Sequence, residues 1–201
     1  MADTEGIDVI DCTRCPELVE SRSGVVNGTG ASDAAIVFVG EAPGADEDRE
    51  GEPFVGRSGG VLDDKLTERG LDRDSVRITN CVRCRPPENR DPNAEELANC
   101  REFLDREITG IDPELIVTLG KVPSEHLLDT DVAVTKQAGA VTETRIGDAT
   151  YRLLICVHPA ATFYDGSQEA TLDSALDTVA ELVGVDTGDG EGSGQSRLGD
   201  Y

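Results

Sequence analysis

Four short apolar runs, Ala35 to Val39, Val76 to Thr79, Leu115 to Leu119 and Leu153 to Val157, punctuate a chain whose intervening segments are longer and amphipathic. Runs of four or five apolar residues have strand length, and strands alternating with helices predict a sheet covered on both faces. The expectation is a three-layer α/β/α domain around a central, mainly parallel, four-stranded sheet. Helices are expected at Gly60 to Arg69, at Asn93 to Ile108 and at 168–184. The second of these carries Asn93 as cap and Glu96 three residues on, a capping-box arrangement. Val141 to Ile146, Gly147-Asp148 and Thr150 to Cys156 read as a hairpin.

A chain of 201 residues suffices for one domain with a full core. That domain is expected over 1–185, with 186–201 a flexible Gly/Ser/acid tail unable to bury enough area to order itself. The 41 acidic and 18 basic residues give a net charge of -23, and only Lys65, Lys121 and Lys136 are lysines. An acidic, lysine-poor surface fits a protein kept soluble in very high salt, as in halophilic archaea; an acidic interaction surface is the competing reading. Acidity does not exclude a nucleic-acid ligand, because counterion release loses its driving force in molar salt. The N-terminus has no apolar signal region and no run of eighteen apolar residues occurs, so a cytoplasmic protein is expected. Six cysteines in a reducing compartment argue for a metal or cluster site over a disulfide framework.

Three of the apolar runs end in polar stretches: GEAPG after the first, NCVRCRPPENRDP after the second and HPAATFYDGS after the last. Ligands of open α/β sheets bind at that edge, so the three loops are expected to converge. The run from Gly40 to Gly60, GEAPGADEDREGEPFVGRSGG, has the layout of a pocket wall. Its segment GEPFVGRS mimics a phosphate-binding loop, yet Arg57 stands where lysine is needed and the strand ended at Gly40. Cys12 and Cys15 form a pair at metal-ligand spacing that Cys84 and Cys100 can complete; Cys81 and Cys156 are left as core residues. Four thiolates suit structural zinc or a 4Fe-4S cluster, and spacing alone does not choose.

The motifs GEAPGADED, GEPFVGRSGG, TNCVRCRPPENRDP and VHPAA, with the four-cysteine layout, resemble the family 4 uracil-DNA glycosylases, over roughly Cys12 to Leu182. The resemblance implies a 4Fe-4S cluster on Cys12, Cys15, Cys84 and Cys100, and hydrolysis of the glycosidic bond of uracil in DNA. It further implies Phe54 as the aromatic floor, Asn80 as the amide that reads uracil O4 and N3-H, and His158 as the donor to O2. Gly40 and Ala42 line the same loop. Ala42 stands where relatives in the wider superfamily carry a water-activating Asp, which leaves Glu41 to orient water or stabilise the cationic sugar, with Asn89 a helper. Glu47 is a candidate for excluding thymine at C5.

After His158 the chain departs from the family's HPSA and Leu-Arg pattern, and Phe163 or Tyr164 becomes the candidate wedge into the duplex. No reactive histidine lies between Pro86 and Pro92, so ordinary turnover is expected over covalent trapping. Gln195, Leu198 and Tyr201 resemble a shortened sliding-clamp-binding peptide. The rival to the enzyme is an inactive iron-sulfur nucleic-acid-binding module of the same fold. Phe54, Asn80 and His158 together favour the enzyme, because a module making only backbone contacts needs no base-shaped pocket.

Overall fold

A computed structural model of the chain describes residues 7–184; the tail and its Gln195, Leu198 and Tyr201 motif lie outside them. The strands are β1 (Thr29–Gly30), β2 (Ile36–Gly40), β3 (Arg77–Asn80), β4 (Leu115–Leu119), β5 (Val141–Ile146) and β6 (Ala149–Cys156). They form one sheet in the order β1-β3-β2-β4-β6-β5. The four expected strands, β3, β2, β4 and β6, are mutually parallel and make its centre. Two antiparallel edge strands widen it to six: β1 on β3, and β5 on β6 as the arm of the expected hairpin.

Alternation along the central strands builds two cores. Ile36 and Phe38 of β2, Leu115, Val117 and Leu119 of β4, and Leu154 and Cys156 of β6 face one side. There they meet Leu62 and Leu66 of α3 (Arg57–Thr67) and Leu172, Leu176 and Val179 of α7 (Ser167–Leu182). Val37, Val39, Ile116, Leu153 and Ile155 face the other side. They pack on Leu104, Ile108 and Ile111 of α4 (Ala94–Ile111) and on Leu127 of α5 (Lys121–Leu128). The period of two in the strands thus distributes the helices over both faces. Three short α-helices, α1 (Pro16–Ser21), α2 (Ala45–Glu50) and α6 (Val134–Gln137), and two 3-10 helices, Pro87–Asn89 and Pro159–Phe163, complete the described elements. No described helix is long and apolar enough to cross a membrane.

The expected capping box is present: Glu96 N–H donates to Asn93 Oδ1 at 2.9 Å and Asn93 N–H to Glu96 Oε2 at 2.8 Å. Such a cap is worth about 1 kcal/mol. Helix α3 starts at Arg57, three residues before the expected Gly60, because Gly56 takes the cap position and the helix runs through the glycines of the loop.

Candidate functional site

The C-terminal ends of β2, β3 and β6 open onto a cavity of about 180 Å³ lined by Ala42, Gly44, Glu47, Phe54, Ser58, Asn80 and His158. Parallel register places Gly40 opposite Asn80, and backbone pairing continues past the strands with Cys81 N–H donating to the Gly40 carbonyl. A Cβ on residue 40 would collide with both the Asn80 amide oxygen and the Phe54 ring. Glycine there is what lets these two side chains reach the same space.

Phe54 sits in the left-handed region at φ 53°, costly for a bulky side chain. Its conformation is held from outside: Arg73 donates through Nη1 to the Phe54 carbonyl at 2.9 Å and through Nη2 to the Pro53 carbonyl at 2.5 Å. Asp63 anchors Arg73 at 2.8 Å, and Gly59 leaves room for the Phe54 backbone. The result is a ring stacked on the His158 imidazole, centroids 5.6 Å apart and planes inclined by 30°.

Asn80 is 3% exposed, and its carboxamide makes no hydrogen bond among the described residues. With no protein partner, the amide presents both its donor and its acceptor to the cavity. His158 Nδ1 accepts from the Ala160 N–H at 3.1 Å. Burial holds the His158 pKa down to about 4, against a smaller upward pull from Glu47. The imidazole is therefore neutral near pH 7 with its proton on Nε2, where it is free to donate.

Glu47 lines the cavity, but its carboxylate is used within the protein, accepting from Gly44 N–H at 3.1 Å and Gly56 N–H at 2.9 Å. It ties the two halves of the Gly40–Gly60 run together. Glu41 stands next to the cavity without lining it. Burial, then the charge of Asp91 and a shared hydrogen bond with its carboxyl, push the Glu41 pKa up to about 7. Asn89 is exposed and accepts from Arg85 Nε at 2.8 Å, so it is not brought to the cavity. Of the two aromatic candidates after His158, Phe163 lies under the Arg57 guanidinium at 3.9 Å, whereas Tyr164 is 90% exposed.

A second cavity is lined by Cys12, Cys15, Cys84 and Cys100 among Leu18, Val82 and Phe103, while Cys81 and Cys156 are buried in the two main cores. Cys12 and Cys15 come from the segment leading into α1, Cys84 from the loop after β3 and Cys100 from α4. Burial pushes the Cys100 thiol up to about 11, so four thiolates in this apolar setting require a compensating cation. Among the described residues no three potential ligands converge as they would on a single ion. The donor set, four thiols around one apolar cavity, is of the kind that holds zinc or an iron-sulfur cluster.

Sequence reasoning missed Ser58, Arg73 and Asp91. Arg73 carries no motif signal, since its role depends on a fold that brings residue 73 under residue 54. Ser58 and Asp91 lay inside quoted motifs, and only their spatial neighbours distinguish them.

Comparison with known proteins agrees with this geometry. Residues 27–180 match the Uracil DNA glycosylase superfamily. The chain is 38% identical over 181 residues to the type-4 uracil-DNA glycosylase of Archaeoglobus fulgidus, covering 88% of this chain and 90% of that one. It is 39% identical over 181 residues to the Sulfurisphaera tokodaii type-4 enzyme, covering 88% and 82%. To the Thermotoga maritima type-4 enzyme it is 48% identical over 129 residues, covering 64% and 67%. With that match spanning both the sheet and the cavity at its edge, the chain belongs to the uracil DNA glycosylase superfamily.

Proposed function

We propose that this protein is a uracil-DNA glycosylase, a hydrolase that cleaves the N-glycosidic bond of uracil in DNA, leaves an abasic site and so initiates base excision repair. The observation that carries the reading is the buried, unpartnered Asn80 carboxamide beside the stacked Phe54 and His158 rings. A base drawn from the duplex stacks on Phe54, a contact worth roughly 1–3 kcal/mol. Asn80 accepts from uracil N3–H and donates to O4; cytosine presents the reverse pattern and leaves the amide unsatisfied.

Cleavage of the N1–C1′ bond builds negative charge on the departing base and positive charge on the sugar. The Nε2–H of neutral His158 donates to O2, where the negative charge develops, and the Ala160 N–H holds the required tautomer. Glu41, when ionised, stabilises the sugar cation and orients water. A dissociative transition state asks little of a base, so the absence of an Asp at Ala42 is tolerable. Asn89 keeps at most an indirect part, through Arg85.

Cys12, Cys15, Cys84 and Cys100 would hold a 4Fe-4S cluster. Its contribution is structural, cross-linking the N-terminal segment, the loop after β3 and α4. Tyr164 is our wedge, and Gln195, Leu198 and Tyr201 our clamp-binding contacts. The acid excess is read as adaptation to high salt.

The test is a uracil-containing oligonucleotide incubated in high KCl and then cleaved with alkali at abasic sites. Strand cleavage is expected from the iron-loaded protein, and Asn80→Ala should lower it by about 10²-fold or more while the iron content stays unchanged. Absence of cleavage by folded, iron-loaded protein would overturn the reading.

A further inference from the structure

The cysteine cavity contains a cation that the glycosylase chemistry does not use. Arg22, at the C-terminal end of α1, turns both arms of its guanidinium inward: Nη1 donates to Cys84 Sγ at 2.7 Å and Nη2 to the Cys12 carbonyl at 2.7 Å. In a chain with 41 acidic residues, Arg22 forms no ion pair with a carboxylate among the described residues. Arg14 and Arg90, on the same side of the molecule, both have acidic partners in Glu102, Glu17 and Glu96. A guanidinium that forgoes carboxylates for a sulfur is matched to an anionic sulfur, since hydrogen bonds between charged partners are roughly twice as strong as neutral ones. The other sulfur with a polar side-chain donor is Cys15, at a longer 3.5 Å from Asn99 Nδ2, a neutral amide.

We propose that Arg22 is the charge-compensating partner of the Cys84 thiolate and sets both the retention and the reduction potential of the bound cluster. The proposal rests on the cluster reading above. Hydrogen bonds and positive charge at ligating sulfur stabilise the more negative, reduced state of an iron-sulfur centre. Removing the charge shifts the potential to more negative values and weakens iron retention.

Three variants separate charge from scaffolding. Arg22→Lys keeps the charge, Arg22→Gln keeps a neutral donor, and Arg22→Met keeps neither. Each is reconstituted anaerobically, assayed for iron and sulfide, checked for fold by circular dichroism, and measured for midpoint potential on an electrode and for iron release to a chelator. The expected result is a potential near wild type in Arg22→Lys and a negative shift in Arg22→Gln, largest in Arg22→Met. Iron release from Arg22→Met should be roughly 10- to 100-fold faster. Should Arg22→Met fail to fold, the Lys and Gln pair carries the comparison. Loaded variants with wild-type potential would overturn the proposal and leave Arg22 a scaffold for the Cys12 carbonyl. Wild-type protein that binds no iron under these conditions would overturn the cluster reading and this one together, whereas the oligonucleotide assay tests the glycosylase reading separately.

Discussion

In the cavity at the sheet edge, the Asn80 carboxamide and His158 Nε2 have no hydrogen-bond partner among the described residues. In the cysteine cavity, two of the four sulfurs already receive side-chain donors, from Arg22 and Asn99. The mountings differ as well. Asn80 and His158 stand at or just beyond the ends of parallel strands, where backbone pairing fixes them. The segment carrying Cys12 and Cys15 has no strand, and side chains tie it down: Arg14 to Glu102 and to the Phe103 ring, Arg90 between Glu17 and Glu96, and Arg83 to the Ile7 carbonyl and Asn27. A site that must recognise a ligand keeps its polar groups unpaired on a rigid edge. A site that must retain one surrounds it with donors brought from distant parts of the chain.

The largest effect should come from the side-chain mounting. Glu107, fully buried in α4, accepts from Arg77 Nε at 2.7 Å, Arg83 Nη2 at 2.8 Å and Thr79 Oγ1 at 2.7 Å. Glu107→Ala leaves two buried guanidinium groups without a counterion, which costs about 3–5 kcal/mol. Urea unfolding should register that loss, and hydrogen exchange should locate its first opening in residues 7–27, upstream of β1. A loss under about 1 kcal/mol, or opening that begins at the sheet edge, would break the contrast between the two mountings.

A second test lies in pH, because burial favours the neutral form of both titrating groups by the base site and so moves their pKa values in opposite directions. Glu41 is raised from its ordinary value to about 7, so its neutral form stabilises the fold fully below pH ~4.5, and that stability is lost as pH rises through about 7. His158 is lowered to about 4, so its contribution is present above pH ~6.5 and is lost as pH falls toward 4. In the proposed mechanism, activity needs neutral His158 and ionised Glu41. The acid limb of the rate profile should therefore fall with an apparent pKa near 7 that belongs to the Glu41–Asp91 pair. Glu41→Gln should abolish that limb and lower kcat by about 10²-fold. An acid limb that persists in Glu41→Gln would transfer the titration to another group.

The same contrast explains what could be read from the chain. The four central strands and the two cores follow from period-two patterning, and the convergence of GEAPG, Asn80 and His158 follows from the rule that such sheets bind ligands at their C-terminal edge. The Asn93 cap was equally legible because it is local, confined to four residues. Arg73 under Phe54, Arg22 on Cys84 and Asp91 against Glu41 were not legible, since each pairs residues 19, 62 or 50 positions apart and no periodicity or motif encodes the pairing. Glu47 read as a candidate for excluding thymine at C5, because nothing local shows that Gly56 N–H will fold back onto its carboxylate.

The smallest expected effect concerns the rim of the base cavity, where sequence left two aromatics level. Phe163 is engaged by Arg57 at 3.9 Å, so Phe163→Ala should loosen the turn after His158 and affect single- and double-stranded substrates alike. Tyr164, 90% exposed, is the proposed wedge that fills the gap left by an extruded base. That contribution exists only where a stack must be broken. Tyr164→Ala should thus lower kcat/KM on duplex DNA by roughly 10-fold, about 1.4 kcal/mol, and leave single-stranded DNA unaffected. Equal losses on both substrates would make Tyr164 a general contact, and no loss on duplex would return the wedge to Phe163.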